Sequence, residues 1–202
     1  MTGSTSDLIA QLADSAEPVG AWRVSSRLAT AALIGALAAL TLQVLTVGVR
    51  HDVAGTLEAI GAKLIVVTVV VATWAWLLRK LVSPGSADGL QRVLAAGTVA
   101  IAVVLVASGS PSWSGVTRCV TQVLVLAFPA FLILALTVRR CAPTDLIQAG
   151  VALGMLSGAI GLLAYSLGCT ADEPTVVAWR YGIAIMVRGI IGGVLGKLIL
   201  RW

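Results

Sequence analysis

Long apolar runs broken by short polar turns set the plan of this chain. The spacing predicts membrane spans at 28–49, 61–78, 93–108, 120–138, 146–167 and 182–200. Most are close to the roughly 20 residues a helix needs to cross a bilayer, and the third is short. Each is expected to be helical, because lipid offers no partner to an unpaired backbone group. The β-branched run Ile65-Val-Val-Thr-Val-Val-Val71 would suggest a strand in water. Between these flanks it is expected to be a lipid-facing helix. The fold class expected is an all-α membrane protein, a six-transmembrane-helix bundle.

Residues 1–27 form the one sizeable piece outside the apolar runs, and 28–202 the transmembrane domain. Ser4-Thr-Ser-Asp7 has the spacing of a capping box, which satisfies free amides at a helix start. Leu8, Ile9 and Leu12 then share one helical face, and Pro18-Val19-Gly20 closes the helix. This short amphipathic helix is too short to be stable alone in water. Docking onto a partner would order it. No cleavable signal is expected, because the first apolar run follows a polar, acidic segment.

Composition supports the same class. Hydrophobic residues make up 58% of the chain and charged residues 11%, against about 25% charged in soluble domains. A water-soluble globule is excluded. The net charge of +5 does not imply nucleic acid, because the cations sit at the ends of the apolar runs. Arg23, Arg27, Arg79, Lys80, Arg92, Arg139, Arg140, Lys197 and Arg201 fall on one side, and Arg50, Lys63, Arg118 and Arg180 on the other. The richer side is expected to be cytoplasmic, with both termini inside. Trp74, Trp76, Trp113, Trp179 and Trp202 are expected mostly as anchors near span ends. Arg188 alone lies deep within a span, where a charge is costly and often functional. It can hold a carboxylate or carbonyl of a neighbour, or snorkel if the span is shifted.

Candidate chemistry concentrates in the turn Tyr165-Ser-Leu-Gly-Cys169-Thr-Ala-Asp172-Glu173-Pro174. Cys119 and Cys169 are both expected at the outer membrane face, and Cys141 on the cytoplasmic side. Two thiols at one oxidising face can form a disulfide or share a soft metal ion. Asp172, Glu173 and His51 are expected on that side as supplementary ligands. The plainer reading is a structural disulfide, or thiols packed as small apolar groups. No resident cofactor is required. There is no glycine-rich phosphate loop, no His-Glu-x-x-His and no Ser-His-Asp set, so an enzyme would have to be thiol-based.

Glycines recur at helical spacing. Gly150, Gly154 and Gly158 stand four apart in the fifth span, and Gly189, Gly193 and Gly196, with Gly192, mark the sixth. Such faces let helix backbones approach closely. Packing of these two spans on each other is expected, with homodimerisation the alternative use. Pro129, in Phe128-Pro-Ala-Phe131, is expected to kink the fourth span.

The phrases Asp7-Leu-Ile-Ala-Gln-Leu-Ala-Asp14, Gly161-Leu-Leu-Ala-Tyr-Ser-Leu-Gly-Cys169, Trp179-Arg-Tyr-Gly182 and Gly192-Gly-Val-Leu-Gly-Lys-Leu-Ile-Leu-Arg-Trp202 resemble the NrsF-like proteins, negative regulators of sigma-F. Arg118-Cys-Val and Arg139-Arg-Cys-Ala-Pro143 resemble the family's middle. The resemblance implies a six-span inner-membrane anti-sigma factor that holds an extracytoplasmic-function sigma factor and releases it on stress. It implies Cys119 and Cys169 as sensor thiols for heavy metal or oxidant. It implies Asp7, Leu8, Ile9, Leu12, Pro18 and Val19 in the sigma-contacting piece. Where the family often carries histidine before the second cysteine, this chain has Gly168, which weakens a metal site more than a redox site. Two other classes compete. A membrane thiol oxidoreductase is disfavoured by the missing Cys-x-x-Cys, and a small metal or solute transporter by the scarcity of mid-membrane polar groups.

Overall fold

A computed structural model of the chain describes residues 21–46, 48, 57–82, 97, 116–141, 145–168 and 174–199. These residues form five helices: α1 (Ala21–Thr46), α2 (Leu57–Val82), α3 (Val116–Arg139), α4 (Leu146–Ser166) and α5 (Pro174–Ile199). Among the described residues, α1, α3, α4 and α5 are long and apolar enough to cross a membrane, while α2 has a shorter apolar stretch, Val67–Arg79. The 21 residues of α4 span about 31 Å, close to the thickness of a hydrocarbon core.

Among the described residues five helices are found, so the six-helix count expected from the sequence is not supported. The third expected span, 93–108, lies outside the described residues except for Gly97, which is helical and lies near the Trp74 ring. The valine run is helical as expected, though not wholly lipid-facing: Val67 is buried and Val69 exposed. Trp74 also departs from expectation, being buried in the core rather than set as a rim anchor. The amphipathic helix expected before Pro18 lies outside the described residues.

α4 is the central helix, and α1, α2, α3 and α5 all pack on it. Its sequence explains this. It carries no charge from Leu146 to Ser166, and small residues punctuate it all round. A helix apolar on every side is a buried helix. Asp145 starts it: with φ −119° and ψ 105° its carboxylate accepts the amides of Ile147 and Gln148 at 2.9 and 3.1 Å, as an N-cap should. The helix closes with Gly168 N–H donating to the Tyr165 carbonyl at 3.1 Å.

The outer helices turn apolar faces away from the bundle. Leu33, Ile34, Leu37 and Leu45 of α1, Phe128, Leu132 and Leu136 of α3, and Ile190, Val194 and Leu198 of α5 are exposed. Exposed apolar area on three helices is the surface expected against lipid rather than water. Hydroxyls follow the same logic. Thr30, Thr41, Thr46, Thr73, Thr121 and Thr137 each donate to a carbonyl three or four residues back in their own helix, leaving no free donor to the surroundings.

Close helix contacts occur where side chains are smallest. A Cβ on Gly150 would lie 2.5 Å from Gly192 O and 2.9 Å from Gly196 Cα. One on Gly154 would meet the Arg188 carbonyl and lie 3.0 Å from Gly192 Cα. The α4 and α5 backbones thus touch directly along a glycine seam inside one chain. On the other flank, Gly161 abuts Ala127 and Gly35 abuts Ala130, so α3 is clasped between α4 and α1. The α3 helix runs unbroken through Pro129.

Gly154→Ala should destabilise the protein by about 1–3 kcal/mol, the usual cost of overpacking. Gly61→Ala, whose Cβ meets nothing within 4 Å, should not. Thermal unfolding in detergent, followed by tryptophan fluorescence, checks both.

Candidate functional site

The helix registers define two ends of the bundle. Arg27 of α1 lies close enough to Cys141, just after α3, to influence its thiol. Gly196 of α5 lies against Leu146 at the start of α4. One end therefore gathers Arg27, Arg139, Arg140 and Lys197, all exposed. The opposite end holds the start of α3 with Arg118 and Cys119, and the close of α4. There an open cleft of about 450 Å³ between α1 and α3 is lined by Thr46, Thr117, Arg118, Thr121 and Gln122.

Cys119 is 1% exposed. Its level follows from the α3–α4 register, which Gly161 against Ala127 fixes. Eight residues back from Ala127 lies Cys119, and seven residues on from Gly161 lies Gly168, so Cys119 is level with the close of α4. Cys169, Asp172, Glu173 and His51 lie outside the described residues, as do Asp7, Leu8, Ile9, Leu12, Pro18 and Val19. Among the described residues, no three His, Cys, Asp or Glu side chains come together as a metal site would need.

Further polar groups lie toward Cys119's end, and of these sequence reasoning passed over Gln43 and Tyr181. Gln43 of α1 is buried, and among the described residues neither of its amide atoms finds a hydrogen-bond partner. Ser166 is buried and donates to the Leu163 carbonyl at 2.7 Å. The Tyr165 and Tyr181 rings meet edge to face with centroids 6.5 Å apart. The signal in the sequence was Gln43 itself, the one amide within the first apolar run.

Arg188 sits mid-way along α5, 5% exposed. Its guanidinium carbon lies 5.0 Å from the centre of the Phe131 ring, a cation–π distance. Among the described residues, Nε and Nη2 have no hydrogen-bond partner. The carboxylate or carbonyl expected to receive it is thus missing for these two nitrogens, and the side chain is packed inside the bundle rather than snorkelling. Gly158 makes room for its stem: a Cβ there would lie 3.1 Å from Arg188 Cβ and 3.2 Å from Cγ.

Cys141 is half-buried, and its Sγ donates to the Thr137 carbonyl at 3.5 Å. Burial pushes this thiol above its ordinary pKa, and the Arg27 charge pulls it part of the way back. A raised thiol pKa means little thiolate, the reactive form, at neutral pH.

These features define a class: a helical bundle for an apolar surrounding, with no assembled catalytic set among its described residues. The family follows from comparison with known proteins. The model of the NrsF family, "Negative regulator of sigma F", matches residues 12–202, and the chain belongs to that family. It is 29% identical to the "Probable anti-sigma-F factor NrsF" of Azospira oryzae across 98% of this chain and 99% of that protein. It is 34% identical to the "Anti-sigma-F factor NrsF" of Caulobacter vibrioides across 42% of this chain and 39% of that protein. No solved structure matches the chain. A family of negative regulators acts by binding, so membership makes this chain a regulatory protein and not an enzyme.

Arg27→Ala should raise the Cys141 pKa further and slow its maleimide labelling several-fold at neutral pH, the gap closing as pH rises through the thiol pKa. Stopped-time labelling with peptide mass spectrometry separates Cys141 from the other thiols.

Proposed function

We propose that this chain is an anti-sigma factor of the bacterial inner membrane. It sequesters an extracytoplasmic-function sigma factor at the cytoplasmic face and releases it when Cys119 and Cys169 are engaged outside. The observation that carries the sensor half is register. Cys119 is level with Gly168, the residue before Cys169 in sequence.

The charge distribution supports the orientation. Arg27, Arg139, Arg140 and Lys197 collect at the end opposite Cys119, and cation-rich ends face the cytoplasm. Both termini then lie inside. The segment around Asp7, Leu8, Ile9, Leu12, Pro18 and Val19 makes the sigma contact from there. The chain has no role in binding nucleic acid directly.

Two chemistries suit the thiols. An oxidant takes two electrons and two protons from the pair as the disulfide forms. Alternatively a soft heavy-metal ion displaces both thiol protons and takes two thiolate ligands. Asp172, Glu173 and His51 would supplement a metal. The burial of Cys119 supplies the coupling, since a reagent reaches it only if the ends of the helices part. The engaged and resting states therefore differ in shape, and a ligand that prefers one shifts the balance.

Cys119→Ser with Cys169→Ser should abolish induction of the sigma regulon by metal or oxidant while leaving repression intact. The sigma factor should co-purify with the unstressed protein. An unchanged response would remove the thiols from the mechanism, and failure to co-purify would remove the partner.

A further inference from the structure

We infer that the cleft between α1 and α3 at the Cys119 end binds one anionic phospholipid, a phosphatidylglycerol, whose phosphodiester lies on Arg118. The inference rests on the membrane setting of the bundle and not on a sigma factor.

The cleft arises where two helices diverge. Gly35 and Ala130 bring the α1 and α3 backbones together, a Cβ on Gly35 lying 2.9 Å from Ala130 Cα. Toward the Cys119 end the helices part around a volume of about 450 Å³, whose wall on α3 runs from Thr117 to Leu126. This wall changes character with depth. Thr117, Arg118, Thr121 and Gln122 come first, and Val125 and Leu126 follow. Arg118 and Val125 are seven residues apart in sequence, about 10 Å along the helix axis. The headgroup layer on each side of a bilayer is about 5–8 Å deep. A phosphate held at Arg118 therefore places the acyl chains beside Val125, in hydrocarbon.

The α3 surface continues the same gradient. Arg118, Thr121, Val125, Phe128, Leu132 and Leu136 are spaced by three or four residues, so they share one face, and all are exposed. The face begins with a cation and a hydroxyl and goes on as an apolar track. The cleft takes a headgroup with its glycerol backbone, and the track takes a chain.

The chemistry of the wall selects the headgroup. Its described lining carries one charge, the Arg118 guanidinium, and no carboxylate. A guanidinium donates paired hydrogen bonds to a phosphodiester, and the lining offers no acid to the ammonium of a zwitterionic lipid. The Thr46 and Thr121 hydroxyl protons are given to the Leu42 and Thr117 carbonyls. Their oxygens are left as acceptors, which suits the hydroxyls of a glycerol headgroup. Eight residues from the Gly35–Ala130 contact on each helix, Gln43 is level with Gln122. Gln43 is buried, and among the described residues its amide finds no partner. The walls at this depth are thus polar on both helices. A second copy of the chain suits the cleft less well, because a two-fold contact through it sets Arg118 against Arg118.

The test uses the full-length chain in phosphatidylcholine vesicles that contain phosphatidylglycerol with a diazirine on one acyl chain. Labelled peptides are identified by mass spectrometry. Labelling of α3 around Val125 and Phe128 should saturate, and unlabelled phosphatidylglycerol should compete roughly tenfold better than phosphatidylethanolamine. Arg118→Gln should cut this labelling roughly tenfold, the loss of one charge-assisted contact. Thr121→Trp, which fills the cleft and keeps the cation, should also cut it. Labelling of α5 at the exposed Ile190 and Val194 reports ordinary contact with bulk lipid. It should be unchanged in both variants, which shows that the bundle still forms. Equal competition by the two lipids, or labelling indifferent to Arg118→Gln, overturns the inference. So does competition by inorganic phosphate, which would make the cleft a site for a soluble anion. No sigma factor is present in the assay, so its outcome is separate from that of the proposed function.

Discussion

The contact of the α4 and α5 backbones at Gly150, Gly154 and Gly192 is the constraint on which this architecture depends. Lipid tails are as apolar as leucine, so helices in a membrane gain nothing from hiding leucine from lipid. What holds them is dispersion between closely packed atoms, and it grows as the axes approach. Glycine at four-residue spacing removes the side chains that would keep the axes apart. Because α1, α2 and α3 also pack on α4, the seam fixes the helix to which the others refer. The same device recurs at Gly161 against Ala127 and Gly35 against Ala130.

Arg188 works against that order. Its carbonyl and stem occupy the row on which α4 presents Gly154 and Gly158, so the residue that costs most is built into the contact that stabilises most. Phe131 offers the guanidinium a ring face, but a ring face is not a hydrogen-bond acceptor for Nε and Nη2. Cation–π attraction is worth about 2 kcal/mol when desolvated, on the order of the lower estimates for an arginine at the helix centre. A bundle meant only to be stable would place leucine or alanine here.

Much of this was legible from the chain. Apolar runs located α1, α3, α4 and α5 to within a turn or two, and the glycine spacing named the residues of the seam. The third expected span, 93–108, is short for a crossing and lies outside the described residues except for Gly97. Trp74 misled because tryptophan near a run's end usually marks an interface, whereas here its ring packs inside. The sequence also flagged Arg188 as costly but could not show that its partner was an aromatic ring. That depends on which face of α3 meets α5, and residue order along one helix does not specify the face of another. The thiol pair is half legible: Cys119 has a place, and the turn bearing Cys169 lies outside the described residues.

A signal that begins at Cys119 must cross about 30 Å of hydrocarbon to reach Arg27, Arg139 and Lys197. No chain of polar groups spans that distance among the described residues, since the hydroxyls are committed to their own helices and Arg188 stands alone at the middle. Electrostatic relay is therefore a poor carrier. Rigid elements remain. α3 holds Cys119 at one end and Arg139 at the other, and it touches α1, α4 and α5 on the way. Its small residues Ala127 and Ala130 sit against glycines, where a shift of a few tenths of an ångström meets backbone rather than compliant side chains. Displacement entered at one end of such a helix is passed to its neighbours. The tight contacts that hold the bundle together are thus also what would let it report, at its basic end, on events at the other.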